Sequence, residues 1–251
     1  METLLEAKNL CKTFSNESAQ QHVLKNLNIT VNKGDFVVIM GNSGSGKSTL
    51  LYALSGMDRP TLGSVNVNGH EIAGYSNDKL ALFRRSNCGF IFQQNYLNDT
   101  MNVLDNILVS GLLLSRDRRK ISERAKKLLL QTGLTEESFH KYPSQLSGGE
   151  AQRVALVRGI INDPAILFAD EPTGALNSQN TKNVLDIMSE INARGQTLLM
   201  VTHGVSAARR GNRILYLKDG VIISECNLGK YVSGDQKRHD KLLHFLTEMG
   251  W

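Results

Sequence analysis

Gly41-Asn42-Ser43-Gly44-Ser45-Gly46-Lys47-Ser48-Thr49-Leu50 carries the complete GxxxxGKS spacing of a phosphate-binding loop. A nucleotide polyphosphate concentrates several negative charges in a small volume. Holding it takes many donors aimed at one point and little side-chain bulk in the way. Glycines let the backbone curl until consecutive N–H groups face inward. A helix starting at about Gly46 adds the positive end of its dipole. Lys47 offers a point charge to the β- and γ-phosphates, and the Ser48 hydroxyl is a ligand for Mg²⁺. Glycine-rich loops also serve as plain turns, and here the flanks decide against that. Phe36-Val37-Val38-Ile39-Met40 is an apolar, β-branched run of buried-strand type, and Thr49 to Leu54 continues as a helix. Strand, loop and helix come in the order the chemistry requires.

The 251 residues suffice for one large domain, or for a core with a subdomain. With 41% hydrophobic and 21% charged residues, a sizeable core under an ordinary soluble surface is expected. No membrane span is expected, because the longest apolar stretch, Ile107 to Leu114, is interrupted by Ser110 and Gly111 and is too short. Met1-Glu2-Thr3 begins with an acid and runs into a strand pattern, which does not read as a signal peptide. Cys11, Cys88 and Cys226 are odd in number and far apart, pointing to a reducing cytoplasm without a disulfide framework or zinc site. The net charge of +5 gives a slightly basic surface. Its local basic clusters, Arg116-Asp117-Arg118-Arg119-Lys120 and Gln236-Lys237-Arg238-His239, are not interleaved with aromatics, so no nucleic-acid partner is expected.

Outward from the loop, Leu4 to Ala7 opens a strand, Val23 to Val31 and Gly63 to Gly69 read as strands, and Asn77 to Arg85 as a helix capped by Ser76 or Asn77. Gly89 to Phe92 is a buried strand. Val103 to about Gly159 is mostly helical, with breaks at Gly133 and Pro143. Strands return at Ala165 to Ala169, Thr197 to Val201, Ile214 to Leu217 and Val221 to Ser224, with a helix from Ser178 to Ala193. A doubly wound α/β core with an inserted helical subdomain accounts for this order.

Hydrolysis needs more than a phosphate loop. Ala165-Ile166-Leu167-Phe168-Ala169-Asp170-Glu171 is an apolar strand ending in two carboxylates. Asp170 is placed to orient Mg²⁺ or its water shell, and Glu171 to accept a proton from an attacking water. Leu146-Ser147-Gly148-Gly149-Glu150, followed by Ala151-Gln152-Arg153-Val154-Ala155-Leu156, is a second anion-binding helix start, with Ser147 as its cap. This stretch resembles the signature of ATP-binding cassette proteins, LSGGQ followed by QRVAIARA.

The resemblance covers about residues 3 to 225. It implies an α/β fold: a P-loop NTPase core of RecA-like type, with an N-terminal antiparallel β region and an inserted α-helical subdomain. The core is expected over residues 1–93 and 161–225, the helical subdomain over 94–160, and a C-terminal helical extension over 226–251. The resemblance implies ATP and Mg²⁺ as cofactors and ATP hydrolysis as the activity. It makes Ser147, Gly148, Gly149 and Glu150 a clamp on the γ-phosphate held by a partner copy, in a head-to-tail homodimer. Gln93 matches a glutamine that senses the metal beside the transporter contact, and His203 a histidine that contacts the γ-phosphate. Phe14 matches an aromatic that stacks on adenine, with Val23 packed near it.

Phe168-Ala169-Asp170-Glu171-Pro172-Thr173-Gly174-Ala175-Leu176 and Gly89-Phe90-Ile91-Phe92-Gln93-Gln94 look like the branch serving macrolide export, lipoprotein release, cell division and bacitracin-type peptide resistance. That implies a peripheral ATPase on the inner face of the cell membrane, driving a permease through residues 94–118 and serving antimicrobial export or resistance. The alternative is a cassette that regulates an envelope enzyme or sensor without transport. Three residues depart from the family pattern: Asn177 replaces an aspartate, Glu150 a glutamine and Gly204 an aspartate. Slow or partner-dependent turnover is the expectation they raise. The apolar residues Leu242, Leu243, Phe245, Leu246 and Met249 suit one helix face packed back on the core.

Overall fold

Two long antiparallel strands, β1 (Thr3–Asn16) and β2 (Ala19–Asn32), open the chain in this computed structural model. The structure describes residues 2–16 and 19–251; Met1, Glu17 and Ser18 lie outside them. Leu5 pairs with Val31, Ala7 with Ile29 and Leu10 with Leu27, so one face of the ribbon is apolar and buried. Register shifts after Ala7 and Leu10, with Asn9 and Asn26 in the left-handed region, interrupt the two-residue period. The strand therefore runs well past Ala7, where the alternation in the sequence fades.

β3 (Phe36–Met40) leads through the glycine-rich loop into α1 (Lys47–Ser55). β4 (Leu62–Val67) and the short β5 (His70–Glu71) follow, then α2 (Asn77–Asn87), capped by Ser76, and β6 (Cys88–Phe92). The helical stretch comprises α3 (Val103–Gly111), α4 (Arg118–Gln131), two 3-10 turns (Glu136–His140 and Pro143–Gln145) and α5 (Gly148–Ile160). Residues 112–117 form an additional break beyond those at Gly133 and Pro143. A side chain at Gly111 would collide with Ile121 of α4, so the two helices cross closely where the first one ends. β7 (Ile166–Asp170), α6 (Ser178–Ala193), β8 (Thr197–Val201) and the one-turn α7 (Val205–Ala208) complete the α/β order. β9 (Arg213–Lys218), β10 (Val221–Asn227) and α8 (Gln236–Glu248) close the chain, with α8 starting a turn earlier than its apolar stripe suggests because Asp235 caps it.

The strands make two sheets. An antiparallel sheet has the order β2-β1-β4-β5, and a six-stranded sheet the order β10-β9-β3-β8-β7-β6. β6, β7, β8, β3 and β9 are parallel neighbours, and β10 is an antiparallel edge. Every residue of β3, β7 and β8 is buried, as expected of parallel strands covered on both faces. One core lies between the two sheets and α1. A second covers the opposite face of the six-stranded sheet and includes residues of α5, α6 and α8. A third belongs to α3, α4 and α5. Phe92 pairs with Asp170, Asp170 with Val201, and Val201 with Ile39. The carboxyl ends of four parallel strands thus stand level at one edge, where open α/β sheets bind ligands.

Candidate functional site

The residues that follow those four strand ends are Gly41, Gln93, Glu171 and Thr202-His203. Gly41 has φ 152°, and a Cβ there would collide with the Leu217 carbonyl oxygen, so only glycine lets the loop start against β9. Gly46, at φ 100°, precedes the first turn of α1; a Cβ there would lie 3.1 Å from the Val23 carbonyl oxygen. Val23 is thereby placed beside the loop. Asn42, Ser43 and Gly44 are exposed, Ser45 is buried, and Thr49 is half-buried on α1.

Lys47 Nζ donates to the Gly41 carbonyl at 2.7 Å and the Asn42 carbonyl at 3.0 Å, curling its ammonium over the loop. Burial lowers its pKa, against the opposing pull of Glu171 and Asp170. Ser48 Oγ donates to Asp170 Oδ1 at 2.9 Å, and Tyr52 Oη to Asp170 Oδ2 at 2.7 Å. Burial, and then the bond to Asp170, push the Tyr52 phenol up, so it remains a neutral donor. Ser48 and Tyr52 are four residues apart and share one face of α1. That spacing was the available signal for Tyr52, which the motif reading passed over.

Glu171 is oriented independently of its neighbour. It sits at φ 46°, a left-handed conformation unusual for a glutamate, and its N–H donates to the Val201 carbonyl at 3.0 Å. Thr202 Oγ1 donates to Oε2 at 3.0 Å, and His203 Nδ1 bonds Oε1 at 2.9 Å. His203 is exposed on its outer side, while only 16% of the Glu171 side chain is exposed. Thr202, the polar residue that follows the buried strand β8, is a second partner that carries no motif. Two adjacent carboxylates therefore have separate partners and can take separate tasks. Gln93 is exposed and lies against Gly174, where a Cβ would be 3.1 Å from its Nε2. Ser48, Asp170 and Gln93 offer an all-oxygen donor set of hydroxyl, carboxylate and amide, which fits a hard cation such as Mg²⁺.

Not every motif joins this cluster. Among the described residues, no hydrogen bond links Ser147–Glu150 to residues 41–49. Ser147 and Glu150 instead form a capping box: Ser147 Oγ accepts from Glu150 N at 3.3 Å, and Glu150 Oε2 accepts from Ser147 N at 2.8 Å. Those bonds lower the Glu150 pKa, the backbone one most. Glu150 is thus occupied at its own helix start. Gly148 is exposed, and Gly149 leaves no space for a side chain against Asn180 of α6. Asn177 caps α6 by accepting from Asn180 N at 2.9 Å. Gln152 Nε2 donates to the Phe92 carbonyl at 2.8 Å, tying α5 to the strand that ends before Gln93. Phe14 is 45% exposed, with the Lys12 ammonium 4.8 Å from its ring centre. Gly204 N donates to Thr202 Oγ1 at 3.0 Å.

A family profile described as ABC transporter matches residues 24–174. The lipoprotein-releasing system ATP-binding protein LolD of Aquifex aeolicus is 43% identical over 226 residues, covering 90% of this chain and 98% of that protein. The macrolide export ATP-binding/permease protein MacB of Neisseria meningitidis is 41% identical over 223 residues, 89% of this chain, which spans only 34% of that protein. An ATP-binding cassette solved as a dimer in a post-hydrolysis state, bound to ADP and Pi, superposes with a TM-score of 0.82 at 36% identity, covering 91% of this chain and all of that one.

Proposed function

The chain belongs to the ABC transporter family as an ATP-hydrolysing cassette, and from that premise we propose that two copies close head to tail on two molecules of ATP. In this reading Gly41–Thr49 hold the phosphates through backbone N–H groups and the Lys47 ammonium, with Val23 flanking the loop and Phe14 stacking on the base. Ser48, Asp170 and Gln93 would hold Mg²⁺, which would supply positive charge to offset that of the polyphosphate. Glu171 orients the attacking water and takes its proton as the water oxygen bonds the γ-phosphorus and ADP leaves. His203 holds the Glu171 carboxylate and steadies the γ-phosphate. Ser147, Gly148, Gly149 and the start of α5 at Glu150 meet the γ-phosphate of the partner copy, beside Asn177, with the Glu150 carboxylate held back on the Ser147 N–H. The observation that carries this reading is the division of labour at the strand end. Asp170 is bound by Ser48 and Tyr52, while Glu171 is bound by Thr202 and His203.

Residues 94–160 serve as the helical subdomain that passes dimer closure to a membrane permease. A groove of about 500 Å³ between α2, β6 and α3, lined by Met57, Arg84, Phe92, Tyr96, Val109 and Leu113, gives the permease a docking surface. No helix among the described residues is long and apolar enough to cross a membrane. The protein acts from the cytoplasmic face. Its permease exports, or confers resistance to, an antimicrobial peptide or drug; the likeness to a macrolide exporter supports this. The test is ATPase rate against protein concentration, beside Glu171→Gln. A rate rising more steeply than linearly, with Glu171→Gln inactive and dimeric in ATP, is the expected result. Glu171→Gln remaining monomeric in saturating ATP would contradict the sandwich.

A further inference from the structure

The end of β9 and the turn after it cradle the nucleotide loop. The Leu217 carbonyl leaves no room for a side chain at Gly41. Gly220 N donates to the Ser45 carbonyl at 3.2 Å. The Tyr216 hydroxyl reaches Asn42 Oδ1 at 3.4 Å, a long contact and the only one that hydroxyl makes among the described residues. Tyr216 itself is 1% exposed, so its phenol passes from the core to an exposed loop residue. A phenylalanine would fill the same space; the hydroxyl adds only the link to Asn42. Asn42 in turn accepts the Lys47 ammonium on its carbonyl at 3.0 Å.

Behind Tyr216 stands the C-terminal helix. Trp251 meets the Tyr216 ring edge-on, with centres 6.3 Å apart and planes at 88°. Trp251 N donates to the Leu246 carbonyl at 3.0 Å, tying the indole to the end of α8. α8 is itself anchored. Leu242, Phe245 and Leu246 are buried in the second core. The buried Arg238 guanidinium donates to the carbonyls of Arg209, Leu228, Gly229, Lys230 and Gly211. A helix anchored in the core thus bears, through two aromatic rings, on the loop residue whose carbonyl accepts from Lys47.

We propose that Trp251 and Tyr216 are positioning residues that set the conformation of the nucleotide loop, so that α8 tunes the affinity for ATP. The inference rests on reading Gly41–Thr49 as the ATP site. Binding requires Lys47 to turn from the Gly41 and Asn42 carbonyls to the phosphates. That turn moves Asn42 against Tyr216, and Tyr216 against Trp251.

Trp251 is the only tryptophan in the sequence, so indole emission comes from this side chain alone, which is 41% exposed beside Tyr216. The experiment titrates the full-length protein with Mg·ATP, following fluorescence and, in parallel, nucleotide bound by equilibrium dialysis. The expected result is a saturable change in emission with the midpoint of the dialysis curve. Tyr216→Phe and Trp251→Ala each raise KM for ATP about threefold to tenfold, the size of one lost hydrogen bond, with kcat held within about twofold. The double variant is no worse than either single one, because both break the same path. Trp251→Phe, which keeps an aromatic edge, restores KM. Silent emission while dialysis shows bound ATP overturns the proposal. So does Trp251→Ala losing kcat or thermal stability with KM unchanged, the outcome of a merely structural contact. Absence of bound nucleotide would instead overturn the reading of the loop, and the relay with it.

Discussion

Asp170 and Glu171 are neighbours in sequence and both carboxylates, yet the fold gives them different surroundings. At Glu171, where the backbone is left-handed, the side chain is bonded by Thr202 and His203. Asp170 keeps one oxygen for Ser48 and the other for Tyr52. Removing the Tyr52 hydroxyl leaves a largely buried carboxylate oxygen without its donor. Tyr52→Phe is therefore expected to cost about 1–2 kcal/mol of stability. It should also raise the Mg²⁺ concentration for half-maximal ATPase by roughly threefold to tenfold, since a carboxylate free to rotate is a poorer ligand. Denaturant titration and a Mg²⁺ series at saturating ATP measure the two effects.

At the scale of elements, two helix starts decide how the site is built. The loop before α1 depends on a glycine at residue 41 that touches the backbone of β9. Gly41→Ala forces a backbone shift, because a carbonyl cannot rotate away as a side chain can. A loss of about 1–3 kcal/mol in stability, and of measurable ATP binding, is expected from thermal unfolding with and without nucleotide. The start of α5 depends on the Ser147–Glu150 box. The Glu150 pKa is depressed in the folded state, so the bond stabilises above the ordinary glutamate range. That stability is lost as pH falls through the depressed value. Glu150→Gln keeps the shape without the charge and should unfold with a flatter pH dependence than the parent between about pH 6 and pH 3.

For the whole molecule, the separation of the two helix starts proposed to bind phosphate is central. One chain presents Lys47 and Ser147 with no hydrogen bond between their segments among the described residues, and the relative solved with ADP and Pi is a dimer. In the head-to-tail pair we propose, each complete site would take Lys47 from one copy and Ser147 from the other. Lys47→Ala and Ser147→Arg should each be inactive alone. Mixed, they should recover part of the parent ATPase rate, because half of the sites in each heterodimer are then intact. Failure of the mixture to exceed the sum of the two variants would argue for sites complete within one chain.

Motifs whose chemistry is local were legible in the sequence. The pattern of a phosphate-binding loop is contiguous, so Gly41 to Thr49 carry it in order, and the structure places that loop at the carboxyl end of β3. A strand ending in Asp170-Glu171 and a capped helix at Ser147 are equally contiguous. The α6 helix coincides with its periodicity because Asn177 supplies a cap at one end and its apolar stripe, Val184, Leu185 and Met188, packs on the six-stranded sheet. The remainder depended on pairings between distant residues. The extension of β1 beyond Ala7 is held by β2 and β4 across bulges that erase alternation. The break at residues 112–117 follows from the close crossing at Gly111. Tyr52, Thr202 and Tyr216 carry no motif of their own. Their hydroxyls gain meaning only when separate strands bring Asp170, Glu171 and Asn42 within reach; the four-residue spacing puts Tyr52 on the Ser48 face of α1 but does not place Asp170 opposite it.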